Sequence, residues 1–287
     1  MEFHVAGITA PWWLPPLAAF LIAVIVSPAG VSGAFLILPL EVSAFGFAGP
    51  AASATSLLYN LFAIPAGVLR YNQERRMVWP LALALLAGTV PGVMLGVVLR
   101  VRLLQDAHSF KVFAGLVLLY LALRLGWDLL KRETAAKGEA APGGPLVVEE
   151  PRFSLRRLSY RFRGREYHAP TPVISGISFV VGSIGGAYGI GGGSFLVPLL
   201  VGVFRLPVHS VAGATLFSTF VTSAVGALSY RLLALFLPGV PAAVAPDLLL
   251  GALFGIGGAL GITAGAVVQR FLPARLIKTL LFLALLL

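Results

Sequence analysis

The sequence predicts an all-α polytopic membrane protein with two inverted repeats, each a glycine-broken re-entrant helical hairpin followed by about three transmembrane helices. Three observations lead to this fold class. Of the 287 residues, 58% are hydrophobic and only 11% are charged, whereas soluble domains carry about 25% charged residues. The chain repeats its own sequence pattern on either side of a charged linker. Each half also begins with an apolar stretch that is too long for one straight span.

A charged linker at residues 131–170 divides the chain into a first transmembrane repeat, residues 1–130, and a second, residues 171–287. Residues 131–169 hold nine of the 21 basic residues and five of the 11 acidic ones, with several glycines and prolines. Basic loops beside spans stay in the cytoplasm by the positive-inside rule. We therefore expect a multi-pass protein of a bacterial-type cytoplasmic (inner) membrane, with a cytoplasmic linker and no nucleic-acid partner.

Three matched segments indicate an internal duplication. Residues 29–40 align with residues 188–199 at an offset of 159, and residues 54–57 align with 214–217 at an offset of 160. Small residues at every fourth position let transmembrane helices approach closely. We therefore expect close helix contacts along the two matched glycine stripes, which are Gly88, Gly92 and Gly96 in the first half and Gly257, Gly261 and Gly265 in the second.

The apolar stretches at 14–47 and 172–204 would each form a helix about 50 Å long, against a hydrocarbon core of about 30 Å. Each is either a span with a broken middle or a re-entrant hairpin of two short helices. If both stretches are hairpins, seven Lys and Arg residues that are not part of the linker lie in the cytoplasm, and four lie on the other side. This distribution favours hairpins and inverted repeats. Ordinary spans are predicted to follow near residues 50–70, 78–100 and 108–130, and near 209–230, 244–270 and 274–287.

Glycines mark the predicted binding site at the middle of each broken stretch. A glycine run at the start of a helix exposes backbone amides, and these attract an anion without a buried lysine. A nucleotide-binding loop is excluded because no strand precedes the run and the Walker lysine is absent. Two such helix starts, one from each half, would form a small oxyanion site, unless the glycines only permit tight turns. The predicted residues are Ser32, Gly33, Gly191, Gly192, Gly193 and Ser194.

Polar side chains on two matched helices are expected to complete the site. Thr55 and Asn60 lie on the first of these helices, and Thr215 and Ser218 lie on its repeat mate. Their neutral donors could bind an oxyanion reversibly. The hydroxyls could instead bond back to carbonyl groups of their own helix. Asn60 is less easily satisfied in that way, so it is the strongest candidate of the four.

Two runs make the chain resemble a known family. Residues 189–198 read GIGGGSFLVP, and residues 206–215 read LPVHSVAGAT. With segment 52–100, they resemble the glycine-rich motif and following pattern of the sulfite exporter TauE/SafE family. The resemblance covers nearly the whole chain apart from the linker. It implies a membrane permease for small sulfur-containing or organic anions, such as sulfite, sulfoacetate and other sulfonates.

Two ionisable residues are predicted to couple or gate transport. Glu41 follows a proline in the second arm of the first broken stretch. An ionisable group at membrane depth is costly and therefore a functional candidate, here as a proton carrier, unless it faces water at the interface. His209 titrates near neutrality in its ordinary state and is predicted to cap or gate a helix at the cytoplasmic surface.

The resulting hypothesis is a secondary transporter that moves a small sulfur-containing anion, sulfite or an organosulfonate, by alternating access, with proton coupling left open. An anion channel and a permease for a different small organic anion are the alternatives. We expect no enzyme and no cofactor or metal, because the four histidines show no ligand spacing with Asp or Glu. The expected partners are the anion and the lipid bilayer, and a homo-oligomer stays open.

Overall fold

A computed structural model of the chain describes residues 2–3, 5–26, 32–47, 49–130, 147–193, 195–236 and 244–268. In the first half, a two-stranded hairpin precedes six helices: β1 (Glu2–Phe3), β2 (Ile8–Thr9), α1 (Leu14–Val26), α2 (Ala34–Ser43), α3 (Pro50–Ala63), α4 (Pro65–Gln73), α5 (Trp79–Leu103) and α6 (Ala107–Leu130). Three strands and four helices follow: β3 (Val148–Arg152), β4 (Leu158–Phe162), β5 (Arg165–Ala169), α7 (Thr171–Tyr188), α8 (Leu196–Gly202), α9 (Val208–Phe236) and α10 (Leu248–Val268).

Five described helical segments are long and apolar enough to cross a membrane. One of them, Pro50–Gln73, joins α3 and α4 across Pro65, which lacks the backbone N–H that a helix interior needs. The others belong to α5, α7, α9 and α10. The chain is therefore a polytopic, predominantly helical membrane protein, as predicted. The predicted span at 274–287 lies outside the described residues.

Each long apolar stretch is broken into two helices. The first stretch forms α1 and α2, and the second forms α7 and α8. Helix α7 ends at Gly189, whose φ of 102° is the left-handed conformation that glycine adopts without strain. The N–H groups of Gly189 and Ile190 both donate to the carbonyl of Gly185, as in a Schellman cap. The chain thus stops α7 with the carbonyl of Gly185, in its last turn, satisfied.

The second stretch begins and ends on the same side of the helices. At the start of α7, Thr171 bonds the carbonyl groups of Ser154 and Arg156. Near the start of α9, Ser210 bonds the hydroxyl of Tyr160 at 2.8 Å. These partners all belong to the segment that forms β3, β4 and their connecting loop, so the stretch returns to the side from which it enters.

The turn between α7 and α8 lies inside the helix bundle. A Cβ on Gly192 would contact the side chain of Thr89, near the middle of α5, and would lie 3.4 Å from Gly182, two turns before the end of α7. The chain therefore folds back along α7 after Gly189. This reversal of the chain supports the hairpin option for the second stretch.

The glycine stripes form close helix contacts, as predicted, and these contacts lie between the two halves. A Cβ on Gly92 would overlap the carbonyl oxygen of Phe179, and a Cβ on Gly96 would overlap that of Ser183. Both positions advance by four residues, so α5 and α7 run parallel. Gly257 and Gly261 of α10 pack in the same way against α1.

The contacts between the halves occur in matched pairs. Helix α5 packs on α7 and α9, and its repeat mate α10 packs on α1 and α3. Helices α3 and α9, which are repeat mates, contact each other between these pairs. Each half therefore packs against the other through corresponding pairs of helices.

Part of the predicted linker is folded, which its composition did not predict. Strands β3, β4 and β5 form an antiparallel sheet over residues 148–169. Leu158, Tyr160 and Phe162 alternate with exposed or half-buried residues on β4 and are buried. Burial raises the pKa of Tyr160, so its hydroxyl stays neutral and retains its bond to Ser210 at physiological pH. The sheet is thereby attached to the helix ends.

Gly92→Leu is expected to lower the thermal stability of the purified protein, because its side chain would enter the α5–α7 contact. Overpacking of a tight contact costs about 1–3 kcal/mol. The unfolding midpoint in detergent measures this loss. Gly115→Leu on α6 is the matched control, since a Cβ there meets nothing within 4 Å. Equal midpoints for the two variants would contradict the stripe as a packing contact.

Candidate functional site

Asn60 connects the two glycine breaks at the centre of the molecule. The first break is described at residues 32–33, before α2, and the second at residues 189–193, after α7. The side chain of Asn60 is fully buried. Its Oδ1 accepts a 2.6 Å hydrogen bond from Ser32, and its Nδ2 donates to the carbonyl of Ile190 at 3.0 Å. Nδ2 also donates to Ser223 on α9 at 3.0 Å.

This arrangement brings together the predicted Ser32 and Asn60 with the second break. It satisfies the acceptor and both donors of the amide. The same amide therefore bridges elements of both halves. Because α3 carries Asn60, the position of α3 fixes the positions of both breaks.

The second break is packed against α9. The amide N–H of Gly192 donates to Thr222 Oγ1 at 3.0 Å. A Cβ on Gly191 would lie 2.7 Å from Ser223 Oγ, and a Cβ on Gly193 would overlap the carbonyl oxygen of Thr215. Only glycines allow the backbone to approach α9 this closely. One backbone amide of the predicted site is thus already paired with a hydroxyl.

The first break is packed in a similar way against α3. A Cβ on Gly33 would lie 2.5 Å from the hydroxyl oxygen of Tyr59. The N–H of Ala34 donates to Ser32 Oγ at 3.3 Å. Helix α2 therefore begins next to two hydroxyl groups, those of Ser32 and Tyr59.

Hydroxyl groups of α9 make two kinds of contact. Thr215 donates to carbonyl groups of its own helix, at Val211 and Ala212. Ser218 instead bonds Thr89 of α5 at 3.0 Å, across the two halves. The alternative of back-bonding thus applies to Thr215, whereas Ser218 connects two helices beside the second break.

Thr55 joins a second polar group that the sequence analysis missed. Thr55 Oγ1 accepts the backbone N–H of Asp247 at 3.0 Å. Asp247 is buried, and its carboxylate accepts the N–H of Leu250 at the start of α10 and that of Ala6 near the N-terminus. This is a helix N-cap, and a Pro-Asp pair before a long apolar run is the signal that could have found it.

Glu41 is fully buried, so it does not face water as one interpretation proposed. Its Oε2 accepts a 2.8 Å bond from Ser56. Its Oε1 has no hydrogen-bond partner among the residues that the structure describes. A buried carboxylate without a paired cation is expensive, and Asp247 adds a second negative group within electrostatic range.

Arg100 is a buried cation beside the second break, although it is one of the four Lys and Arg residues that the sequence analysis placed on the non-cytoplasmic side. It lies in the last turn of α5 with its guanidinium 3.6 Å from the centre of the Phe110 ring. Arg100 Nε donates to Ser53 Oγ at 3.2 Å, and Ser53 in turn contacts the carbonyl of Ala187. No sequence signal distinguishes it from Arg102 two residues later.

Two predicted residues lie partly or wholly outside this description. Ser194 is outside the described residues. His209 belongs to the first turn of α9, and its side chain is likewise not described.

Asn60→Ala is expected to lower the unfolding midpoint because it leaves Ser32, Ser223 and the Ile190 carbonyl without their common partner. Each unsatisfied buried polar group costs about 1–3 kcal/mol. Thermal unfolding in detergent measures the effect. Asn72→Ala is the control, because Asn72 is exposed at the end of α4. If Asn60→Ala unfolds at the wild-type temperature, the bridge contributes nothing to stability.

Comparisons with known proteins agree with the resemblance found in the sequence. The family model TauE, described as Sulfite exporter TauE/SafE, matches residues 16–287. A relative described as "Probable membrane transporter protein YunE", from Bacillus subtilis (strain 168), is 28% identical over 181 residues, 63% of this chain and 61% of the relative. The match thus spans less than two thirds of that relative. No solved structure matches. The chain belongs to the sulfite exporter TauE/SafE family of membrane transporters.

Proposed function

We propose that the protein is a secondary transporter that moves a small sulfur-containing anion, sulfite or an organosulfonate, across the bacterial cytoplasmic membrane. The observation that carries the proposal is the junction at Asn60, where both glycine breaks meet buried hydroxyl groups. The family description supplies the substrate class. The helix contacts and buried polar groups support a mechanism of alternating access.

The directions of the helices support inverted repeats. Helix α5 starts on the side of the β3–β5 sheet, where Val148 bonds Arg75, and it ends near Ser53. The second broken stretch enters from the sheet side. In the first broken stretch, Ala6 precedes α1 and bonds Asp247. Near the end of α2, Glu41 bonds Ser56. The neighbouring Thr55 bonds Asp247 as well.

Because Ser53 and Thr55 lie within one turn of α3, both ends of the first stretch belong to the side opposite the sheet. The two broken stretches then enter from opposite sides and meet at Asn60. Such an arrangement allows alternating access to a fixed central site.

Neutral donors and one nearby cation suit reversible binding of an oxyanion. Ser32, Ser218 and the amides of the second break would bind the anion, and Gly192 would exchange its bond to Thr222 for the anion. Arg100 would raise the local concentration of anions through its charge. A fixed salt bridge to the substrate would instead slow its release.

The packing of the breaks corresponds to a state in which the site is closed. Gly191, Gly192 and Gly193 are buried against α9 and α5. A cavity of about 290 Å³ lies elsewhere, between apolar residues of α6, α7 and α8. Substrate access would therefore require one hairpin to separate from α9 or α3, as alternating access demands.

Ser218→Ala is expected to raise the KM for sulfite uptake into proteoliposomes because it removes a donor beside the second break. A hydrogen bond to a charged group contributes about 1.5–3 kcal/mol, which corresponds to about tenfold or more in affinity. Ser229→Ala is the matched control, since Ser229 bonds back to Val225 of its own helix. Equal KM values for the two variants would remove Ser218 from the site.

The same assay separates the proposal from its alternatives. Uptake of radiolabelled sulfite, sulfoacetate and taurine should saturate as the substrate concentration rises. An imposed pH gradient should drive accumulation of the anion against its own concentration gradient. An anion channel would let each anion only equilibrate. Flux of a carboxylate but of no sulfur anion would instead indicate a permease for a different organic anion.

Glu41 is proposed to carry the coupling proton. A proton on this buried carboxylate removes the cost of burying its charge. Glu41→Gln should abolish acceleration of uptake by a pH gradient while retaining exchange of internal for external anion. Glu74→Gln is the control, because Glu74 forms ion pairs with Arg70 and Arg76 at the end of α4. Gradient-driven uptake by Glu41→Gln at the wild-type rate would contradict this role.

A further inference from the structure

The loop between β3 and β4, residues 153–157, combines exposed apolar and basic side chains. Its sequence is FSLRR. Phe153 is 47% exposed and Leu155 is 80% exposed. Arg156 and Arg157 are also exposed, and neither side chain has an ion pair with any residue that the structure describes. In water this loop would expose two large apolar side chains without compensation.

The loop is fixed at the end of a membrane-spanning helix. Thr171, the first residue of α7, donates its hydroxyl to the carbonyl of Ser154 at 2.7 Å and its N–H to that of Arg156. Two residues further along α7, Val173 is 49% exposed, and an exposed apolar side chain on a membrane-spanning helix faces lipid. The loop thus borders lipid at the height where α7 begins.

A second feature marks this height as the membrane interface. Trp79 begins α5, which runs parallel to α7, and its ring is exposed and packs edge-on against Phe217. Tryptophan is enriched at the level of the lipid headgroups. Gly88, nine residues after the start of α5, packs against Ser175, four residues after the start of α7. The two helices therefore begin near the same boundary.

We propose that the β3–β4 loop binds anionic phospholipid headgroups of the adjoining leaflet. Phe153 and Leu155 would enter the boundary between headgroups and acyl chains, and Arg156 and Arg157 would bind phosphate oxygens through charge-assisted hydrogen bonds. Each arginine near an anionic leaflet favours association by about 1 kcal/mol, or about fivefold. The docked sheet holds the loop in place, so binding requires little additional ordering.

The chain has no cysteine, so single cysteines can report the depth of the loop. Leu155→Cys and Glu166→Cys would each be labelled with a nitroxide in full-length protein in nanodiscs. Glu166 is the matched control, because it is exposed on β5 opposite Arg161, toward the end of the sheet away from Thr171. Relaxation by oxygen against a water-soluble nickel complex gives the depth of each label, in phosphatidylcholine with and without phosphatidylglycerol.

The label at position 155 should report the interface and move deeper as phosphatidylglycerol is added, while the label at 166 should stay in water. Arg156→Gln with Arg157→Gln should abolish the response to phosphatidylglycerol, and each single change should lower the apparent preference for this lipid about fivefold. A water-exposed label at 155 in both bilayers would overturn the proposal. If the depth of the label at 155 does not change with phosphatidylglycerol, or does not depend on the two arginines, recognition of the headgroup charge is overturned.

Discussion

The structure depends on providing hydrogen-bond partners for the ends of every broken helix inside lipid, which offers none. Lipid cannot bond the free ends of interrupted helices, so non-helical backbone at this depth must be buried against protein. Asn60 meets this need for both glycine breaks, through Ser32 on one side and the Ile190 carbonyl on the other. The breaks, the hairpins and the close packing of α9 therefore share one polar junction.

The matched helix contacts form the scaffold, and some buried polar residues at the proposed site depart from that match. The matched contacts of α5 with α7 and of α10 with α1 use the same glycine spacing in both halves. Two of the buried polar residues depart from this symmetry. Asn60 aligns with Phe220, and Glu41 aligns with Leu200. The proposed site, which would bind an anion and respond to a proton on one side, needs such asymmetry, since identical halves would present identical groups to both sides.

Much of this architecture could be predicted from the sequence because its signals are local. Glycine periodicity predicted the close helix contacts, and the length of the apolar stretches predicted their breaks. The sequence could not name the partner of each stripe, because a stripe of small residues fits any backbone of suitable shape. The β3–β5 sheet was missed because charge and glycine dominate the linker composition, although the alternation of Leu158, Tyr160 and Phe162 is a strand signal.

The polar centre was only partly predictable for a different reason. Asn60 was identified because a buried amide needs several partners, but its three partners come from segments 28, 130 and 163 residues away. Arg100 resembles an ordinary flanking cation until the fold buries it. Whether a serine bonds its own helix, like Ser229, or a neighbouring one, like Ser218, depends on packing that no local pattern encodes.

Equilibrium binding of radiolabelled sulfite to the purified protein tests the central claim most directly. Asn60→Asp preserves the shape of the side chain but introduces a carboxyl group at the junction, and Asn72→Asp makes the same change on the exposed surface. The account predicts that Asn60→Asp abolishes saturable binding while the protein elutes as the wild type does, and that Asn72→Asp binds normally. Wild-type sulfite affinity in a folded Asn60→Asp variant would contradict an anion site between the two glycine breaks.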